Sequence, residues 1–263
     1  MAIHRGPDLN TDGLVFCADG ANHKSYPGTG TSVYNISGIE DSSGNSITGT
    51  MQSSTTWDNS SGAYGMGSFD MGASATDYIS FGPSLPVGFR PTETDLEVGG
   101  DGYTVSIWIL PDTTVNNRGV WCNDGATSSA IYYGLQLLTD SGGRPGLLMC
   151  DGTGNTSSDY RFKIWDYTLQ LNQWQNLTFS PAQAIAGKFI LWVNGKSVSG
   201  TVSSGGTGGD ISYSASLTAG LGRAAGLQYT GRFGGCWTWN RQLSSAEVKD
   251  HYQKTKDKYV DPA

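Results

Sequence analysis

Short segments in which apolar residues occupy every second position recur along the sequence, and this period limits what the chain can fold into. The segment from Tyr103 to Ile109 is one, and comparable segments begin at Ile131 and Tyr160. A period of two places the apolar side chains on one face of a β-strand, whereas an amphipathic helix needs a period near 3.6. Stretches rich in glycine, serine and threonine separate the segments and are typical of turns. The pattern predicts an all-β protein, an antiparallel two-sheet jelly-roll sandwich.

Two further segments extend the predicted sheets. Residues Phe189–Val193 are apolar on both faces, which predicts a central strand. The Asn194-Gly195 pair that follows suits a two-residue type I′ hairpin, because both positions need a positive φ. From Phe233 to Trp239, alternate positions carry Phe, Gly, Trp and Trp, which predicts a strand with one buried face.

A complete helix start signal follows that last strand. Ser244 is placed as the N-cap, and Glu247 three residues later completes a capping box, in which each side chain accepts a hydrogen bond from the backbone N–H of the other residue. Leu243 and Val248 flank the box as a hydrophobic staple. The sequence therefore predicts a short C-terminal helix joined to the end of an aromatic strand.

Composition and charge exclude several classes of partner. The chain has 263 residues, 38 of them glycine, and 15% are charged, against about 25% in an average protein. The formal net charge of -7 leaves no basic surface for nucleic acid. No apolar stretch is long enough to cross a bilayer. We therefore expect neither nucleic acid nor a membrane as a partner.

The sequence predicts one large domain with a short arm in front of it. A β-sandwich of this length is commonly undivided, and no internal repeat or linker interrupts the pattern. Residues 1–11 carry almost no apolar surface and do not resemble a signal peptide. We predict an N-terminal arm over residues 1–11, ordered only against another chain, and a jelly-roll domain over residues 12–263.

The four cysteines are far apart in the sequence, with no C-x-x-C pair. This spacing argues against a zinc site or a redox motif. We expect four free, buried thiols. Cys17 with Cys236 is the pair that a disulfide would join if the two terminal strands were neighbours.

Six pieces of the sequence carry a family resemblance. They are GLVFCADGANHKSYPGTGT (13–31), SFDMGASATDYISF (68–81), YTVSIWI (103–109), QWQNLTFS (173–180), FILWVNGK (189–196) and YTGRFGGCWTWNRQLSSAEV (229–248). Their order along nearly the whole chain resembles that of the concanavalin A-like lectin/glucanase superfamily, in particular laminin G-like jelly-roll domains of bacterial and phage proteins. The resemblance implies that the last strand runs beside the first and that a short helix closes the domain.

The SYPGTGT stretch (25–31) is also similar to modules on tailed-phage virion proteins. A surface with few charges and many glycine, serine and threonine residues fits such a protein. This resemblance implies a location in the virion, with other capsid or fibre proteins as partners.

One acidic stretch favours catalysis instead. Glu93, Asp95 and Glu97 form an E-x-D-x-E pattern similar to that of glucanases on this fold, and on a strand all three carboxylates would share a face. A retaining glycosidase needs two carboxyl groups about 5–5.5 Å apart, one as nucleophile and one as acid/base. However, a proline precedes the pattern and two glycines follow it, which is typical of a loop. We expect the three side chains to lie apart on a solvated rim, which predicts no catalytic residues.

Residues for ligand binding are found among turn carboxylates, carboxamides and aromatic rings. The predicted ligand-binding set is Trp121, Asp124, Tyr132, Asp151 and Asn155. Trp57 and Trp165 are further rings that would stack on a sugar if exposed, but aromatic residues at strand spacing more often belong to the core.

Several Asp and Asn residues in predicted turns have oxygens suitable for calcium. They show no EF-hand spacing, and both residue types are ordinary turn formers. We therefore predict no metal and no other cofactor. These residues are Asp19, Asn22, Asp41 and Asn45, together with Asp124, Asp151 and Asn155.

The sequence as a whole favours a non-enzymatic structural protein of a tailed-phage virion, a capsid decoration or fibre module built on a laminin G-like domain. Two alternatives stay open. One is an adhesin that recognises host-surface carbohydrate with rim loops and an aromatic ring, and the other is a glucanase that uses Glu93, Asp95 and Glu97. Exposed aromatic rings beside a groove would favour the adhesin, and carboxylates converging on a concave sheet would favour the enzyme.

Overall fold

Two antiparallel β-sheets pack face to face in the computed structural model of the chain, and a helix covers the outside of one of them. The structure describes residues 9–40, 44, 46–60, 66–72, 74, 76–82, 88–96, 100–112, 116–124, 133–153, 160–181, 188–205, 211–214, 218–224 and 227–260. This arrangement confirms the predicted all-β, antiparallel two-sheet jelly-roll sandwich with a short C-terminal helix.

Short strands make up a large part of the described chain. The first are β1 (Leu14–Asp19), β2 (Ser32–Tyr34), β3 (Thr48–Met51), β4 (Thr56–Asp58), β5 (Ser68–Asp70), β6 (Ile79–Phe81), β7 (Thr104–Pro111), β8 (Gly119–Cys122), β9 (Tyr133–Thr139) and β10 (Pro145–Asp151). The others are β11 (Tyr160–Trp165), β12 (Gln175–Pro181), β13 (Phe189–Val193), β14 (Lys196–Val198), β15 (Gly200–Gly205), β16 (Ala219–Leu221), β17 (Arg223–Ala224), β18 (Leu227–Gln228) and β19 (Gly231–Trp239). The helices are α1 (Glu93–Leu96) and α2 (Ser245–Thr255), and a 3-10 turn at Lys256–Lys258 follows α2. No helix in this described part of the chain is long and apolar enough to cross a membrane.

The terminal strands meet inside one sheet. The first sheet has the order β14-β13-β12-β7-β19-β5-β4, and β1 also pairs with β19. The second sheet has the order β15-β11-β10-β9-β8-β16-β6-β3-β2, and β17 and β18 form a separate ribbon. The pairing of β1 with β19 confirms that the last strand runs beside the first.

The core between the sheets is built from the alternating apolar residues that the sequence pattern marked. Val105, Ile107 and Ile109 of β7 and Leu135 and Leu137 of β9 all belong to it and are fully buried. Because successive side chains of a strand point to opposite faces, this alternation is what places one apolar face of each sheet against the other.

A second apolar layer lies on the outer face of the first sheet. Trp108 of β7, Trp192 of β13, and Trp237 and Trp239 of β19 are buried there, together with Val248 of α2. An isolated helix of this length, 11 residues, is marginal in water, so α2 depends on the apolar surface that it covers. Each buried tryptophan contributes roughly 4–6 kcal/mol of hydrophobic free energy before entropic costs are subtracted.

Strand β19 changes face at its two glycines. Its register to β7 shifts between Phe233 and Cys236, which marks a bulge. Phe233 and Cys236 both lie in the core between the sheets, whereas Trp237 and Trp239 lie in the outer layer. The predicted strand is confirmed, but the prediction of a single buried face is wrong: both faces are buried, and the bulge moves the tryptophans to the other side of the sheet.

The start of α2 has the geometry that the sequence predicted. The Ser244 hydroxyl accepts the Glu247 N–H at 3.3 Å, and a Glu247 carboxylate oxygen accepts the Ser244 N–H at 2.8 Å, which confirms the capping box. Arg241 adds an ion pair of 2.7 Å to the same carboxylate. The hydrogen bond from Arg241, followed by that from the Ser244 backbone, lowers the pKa of Glu247 to about 2.

Strand β13 lies next to the edge of the first sheet, because β14 is paired outside it. It is nevertheless paired on both sides and covered on both faces, as the prediction of a central strand requires. Leu191 belongs to the core between the sheets, and Trp192 belongs to the outer layer under α2. The turn that follows β13 has φ values of 50° at Asn194 and 73° at Gly195, which confirms the predicted hairpin turn.

All four cysteines are free and buried, as predicted. Cys17 belongs to the outer layer and Cys236 to the core between the sheets, although β1 and β19 are paired. Two thiols on opposite faces of one sheet cannot join, so the disulfide considered for Cys17 and Cys236 is excluded. Burial raises the pKa of the Cys122 thiol to about 12, which keeps it protonated.

The end of the predicted N-terminal arm packs on the domain. The Asn10 carbonyl accepts the Trp239 indole N–H at 3.0 Å, and the Asn10 amide donates to Glu247 at 2.8 Å. Leu9 packs against the outer layer. These contacts contradict, for the described residues of the arm, the expectation that it is ordered only against another chain. Residues 1–8 lie outside the described residues, so the division into an arm of residues 1–11 and a domain of residues 12–263 stays a prediction.

His251 of α2 lies between two tryptophan rings of the outer layer. Its ring centroid is 4.9 Å from that of Trp237 and 5.1 Å from that of Trp239, and no described residue hydrogen-bonds to either ring nitrogen. Burial, followed by the charge of Lys258, lowers the pKa of His251 to about 3. The unfolded chain takes up this proton near pH 6.5, so the contribution of the neutral ring to stability is complete above that pH. It is lost as the pH falls toward 3.

We expect His251→Phe to reduce the loss of folding stability at acid pH, because a phenyl ring does not titrate. A phenyl ring also fills the same gap and leaves no buried nitrogen without a partner. The free energy of unfolding at neutral pH should be no lower than that of the parent, and its slope between pH 6.5 and 4.5 should be smaller. Below that range Glu247 titrates in both proteins. Denaturant titrations at several pH values measure the slope, with His23→Phe at an exposed loop as the control. Equal slopes for the parent and His251→Phe would contradict the assignment.

Candidate functional site

The structure places Trp121 in the core and not in a binding site. Its side chain is fully buried, with ring centroids 5.2 Å from Phe179 and 6.3 Å from Phe89. Trp165 is also fully buried in the core between the sheets. The prediction that Trp121 contacts a ligand is wrong, because the alternation that marked it as a strand residue points it inward.

Asp124 and Asp151 lie at the same end of the second sheet, beside the start of β9. The Asp124 carboxylate is buried, accepts the Ser214 N–H at 2.5 Å and lies 3.6 Å from the Arg90 guanidinium. Asp151 accepts two hydrogen bonds from Thr153, at 2.9 Å and 2.6 Å. Both carboxylates thus hold the local backbone together.

The other two members of the predicted ligand-binding set, Tyr132 and Asn155, lie outside the described residues. Their part in ligand binding stays a prediction. The structure brings Asp124 and Asp151 to one end of a sheet, and it separates Trp121 from them by turning its ring into the core.

The described part of the acidic E-x-D-x-E stretch does not lie on a strand. Glu93–Leu96 forms the short helix α1, and Asp95 accepts hydrogen bonds from the Thr92 N–H at 2.6 Å and the Thr92 hydroxyl at 2.8 Å. Residues two apart on a helix point about 200° apart, so the shared face that a strand would supply is lost. The expected loop is instead a capped helical turn. Glu97 lies outside the described residues.

The turn residues considered for calcium have other partners. Asp19 accepts the Tyr259 hydroxyl at 2.9 Å and pairs with Lys258 at 2.5 Å, and Asn22 accepts the Lys24 N–H at 3.0 Å. Asp41 and Asn45 lie outside the described residues. Within the described ranges, no three His, Cys, Asp or Glu side chains converge as a metal site would need.

A groove of about 380 Å³ beside Trp57 combines an aromatic ring with polar groups at the edge of the first sheet. We call it the Trp57 groove. Trp57 lies on β4 and is partly exposed, and His23, Asn59 and Met66 line the groove with it. Met66 keeps 38% of its surface exposed. Binding sites for small ligands commonly have this size and this mixture of apolar surface and a few polar groups.

The Trp57 ring is fixed by the backbone around it. Its indole N–H donates to the Gly20 carbonyl at 2.9 Å, and a Cβ at Gly67 would lie 2.2 Å from the ring, so only glycine fits there. Tyr26 packs from the core side with a centroid distance of 5.4 Å. A ring held in this way loses little conformational entropy when it binds a ligand.

The Trp57 groove forms where β1 and β5 both pair with β19. Strand β19 pairs with β5 at Arg232 and Phe233 and with β1 from Gly235 onward. Between them, the Gly20 N–H donates to the Gly234 carbonyl at 2.8 Å, just after β1 ends. The carbonyl of Gly20 is then free to hold Trp57.

The charged side chains nearest the Trp57 groove have hydrogen-bond and ion-pair partners within the protein. Asp58, next to Trp57 on β4, accepts hydrogen bonds from Ser60 at 2.7 Å and 2.6 Å and pairs with Arg232 at 3.1 Å. The hydrogen bond from the Ser60 hydroxyl is the main cause that lowers the pKa of Asp58. The groove therefore combines a stacking surface with polar hydrogen-bonding groups, and its described lining carries no pair of carboxyl groups.

The sequence indicated Trp57 as a ring that would stack on a sugar if exposed, but it did not identify His23, Asn59 and Met66 as residues of the same groove. Two glycines, Gly20 and Gly67, were the available signal, because glycine in or beside a strand often marks a close approach of another group. Nothing in the local sequence pairs either glycine with Trp57, since the contacts join segments 37 and 10 residues apart.

Comparison with known proteins gives a family and a set of similar folds. A family model described as the Concanavalin A-like lectin/glucanases superfamily matches residues 72–249, and none of the curated proteins matches the chain. The binding domain of Paraclostridial Mosquitocidal Protein 1 superposes with a TM-score of 0.61 at 14% identity, covering 92% of this chain and 52% of that one. The ligand binding domain of botulinum neurotoxin serotype D, in complex with N-acetylneuraminic acid, gives 0.60 at 15%, with 92% and 51% covered. The binding domain of botulinum neurotoxin serotype G gives 0.59 at 12%, with 91% and 50% covered.

At these identities the similarity is one of fold. The chain spans about half the length of each of these solved structures.

We expect the purified protein to release no reducing sugar from β-glucans, laminarin, agar or carrageenan, because Asp95 holds a helical turn and the acidic stretch does not share a strand face. A reducing-end assay with a known glucanase as the positive control measures this. Turnover of any of these polymers that Glu93→Gln or Glu97→Gln abolishes would contradict the expectation.

Proposed function

The chain belongs to the concanavalin A-like lectin/glucanase superfamily, and within it we propose that the chain is a non-catalytic carbohydrate-binding module. The superfamily includes both lectins and glucanases, so membership alone does not decide between binding and hydrolysis. The partly exposed, backbone-held Trp57 ring in a groove with His23 and Asn59 is the observation that carries the proposal.

The chemistry of the Trp57 groove suits a sugar. One face of a pyranose ring is apolar and stacks on an indole, while its hydroxyls need hydrogen-bonding groups at the rim. The side chains of Asn59 and His23 can both donate and accept such bonds. Because the ring is held by Gly20 and Gly67 before a ligand arrives, little ordering is needed on binding.

The similar solved structures support a binding role without fixing the ligand. They are binding domains, and one of them is a complex with N-acetylneuraminic acid. The similarity covers about half of each of those chains, so their ligands and receptors belong to those proteins. What the comparison adds is that this fold has served as a binding domain in proteins of very different sequence.

We further propose that the module works in a tailed-phage virion, as a capsid decoration or fibre module, where it presents the Trp57 groove to host-surface carbohydrate. This proposal rests on the resemblance of the SYPGTGT stretch to virion modules and on the low charged fraction of 15%. The groove lies next to that stretch, because Tyr26 packs on Trp57. Other capsid or fibre proteins are the partners that this location implies.

We expect Trp57→Ala to weaken binding to a carbohydrate ligand by at least about tenfold, because a central aromatic anchor commonly contributes ~2 kcal/mol or more. A glycan array of bacterial surface polysaccharides, followed by calorimetry on the best ligand, measures this. Trp57 also packs on the core, so Asn59→Ala and His23→Ala provide variants that leave the ring in place.

Tyr34→Ala is the matched control, since Tyr34 is an aromatic residue of β2 with 39% of its surface exposed and lies outside the Trp57 groove. Folding of each variant is checked by thermal unfolding. An equal loss of affinity in Tyr34→Ala and Trp57→Ala, or full affinity in all three groove variants, would refute the role of the groove.

The virion proposal predicts that the protein is present in purified phage particles. Quantitative mass spectrometry of particles banded by density should find it at a fixed copy number relative to the major capsid protein. Its presence in the infected lysate together with its absence from banded particles would overturn this location and leave the binding proposal standing.

A further inference from the structure

A second groove, of about 820 Å³, lies between the β13–β14 turn and helix α2. Tyr167, Asn194, Lys196, Lys249, Tyr252 and Gln253 are among the residues that line it, and we call it the lysine groove. The strand order of the first sheet places it at the opposite edge from Trp57, because β14 and β4 are the two end strands. Six strand spacings separate these edges, or roughly 29 Å.

The walls of the lysine groove are held in place. A Cβ at Gly195 would lie 3.2 Å from the Tyr252 ring and 3.4 Å from the Lys249 Cα, so the hairpin turn rests against α2. Tyr252 stacks on the buried Trp108 at a centroid distance of 5.7 Å and an interplanar angle of 22°. The Tyr167 hydroxyl donates to Gln175 at 2.6 Å.

Two lysines of the lysine groove have no ion pair with another described residue. They are Lys196 and Lys249, and the side chains of both are exposed. The two carboxylates of α2 nearest in sequence are already paired, Glu247 with Arg241 at 2.7 Å and Asp250 with Lys254 at 2.7 Å. Two free ammonium groups at one groove stand out on a chain whose formal net charge is -7.

We propose that the lysine groove binds a carboxylated sugar unit of an acidic polysaccharide, as a second subsite. The ammonium groups of Lys196 and Lys249 pair with the carboxylate, and the amides of Asn194 and Gln253 hydrogen-bond to hydroxyls. The ring of Tyr252 supplies an apolar wall of fixed orientation. The proposal rests on the carbohydrate-binding function proposed above and specifies an acidic ligand that the Trp57 groove, whose described lining has no lysine or arginine, does not select.

Methyl glucuronide and methyl glucoside form a matched pair of probes, because they differ only in the carboxylate at C6. In NMR titrations of the whole chain, the glucuronide should shift the backbone amides of Asn194 and Gly195 and the side-chain amide of Gln253 in a saturable manner. The glucoside should shift them at least about fivefold less at the same concentration, and added salt should weaken the glucuronide response, since the pairing ions are exposed.

Lys196→Gln and Lys249→Gln should each reduce the glucuronide affinity by about fivefold or more, while Lys256→Gln, at the 3-10 turn after α2, should leave it unchanged. No response at these amides, an equal response to the glucoside, or equal affinity for acetate would overturn the proposal. The Trp57→Ala variant separates the function of the lysine groove from that of the Trp57 groove. A glucuronide response that persists in this variant supports an independent subsite at the lysine groove, even where the Trp57 groove binds nothing. A response that is lost in this variant overturns the proposal that the lysine groove is an independent subsite.

Discussion

The bulge at Gly234 and Gly235 in β19 is the constraint on which the rest of the structure depends. A Cβ at Gly234 would lie 2.3 Å from the Tyr259 ring, and one at Gly235 would lie 2.4 Å from the Trp237 ring. Glycine is therefore required at both positions, and the register of the strand to β7 shifts at these two residues. After the shift, Trp237 and Trp239 face outward. The same point is where β19 exchanges β5 for β1 as its partner, which leaves Gly20 placed to hold Trp57.

The outward tryptophans give this sandwich a third layer. Helix α2 is too short to be stable alone, and its burial against Trp108 and Trp237 supplies the free energy that its own hydrogen bonds do not. The layer has two consequences. It buries His251 as a neutral ring, and it fixes α2 as one wall of the lysine groove, so that this helix shapes a candidate binding surface.

The proposal of a binding role rests in part on how three described carboxylates are used. Asp95 holds a helical turn, Asp124 accepts the Ser214 N–H and Asp58 accepts Ser60. General acid and base groups must be close together and able to exchange protons, and these groups are fixed as structural acceptors. The two grooves present an indole ring at one sheet edge and two ammonium groups at the other, which are features suited to recognition.

The sequence by itself determined the all-β class, the capping box at Ser244 and the Asn194-Gly195 turn, because each depends on residues near one another in the chain. It named Trp57 as one ring among several and could not tell it from Trp121, because exposure depends on the strand register and on what packs against each face. The change of face in β19, the third layer and both grooves were decided by tertiary structure. Each arises where segments distant in sequence meet, and the physical reason is that burial is a property of the packed chain and not of the local pattern.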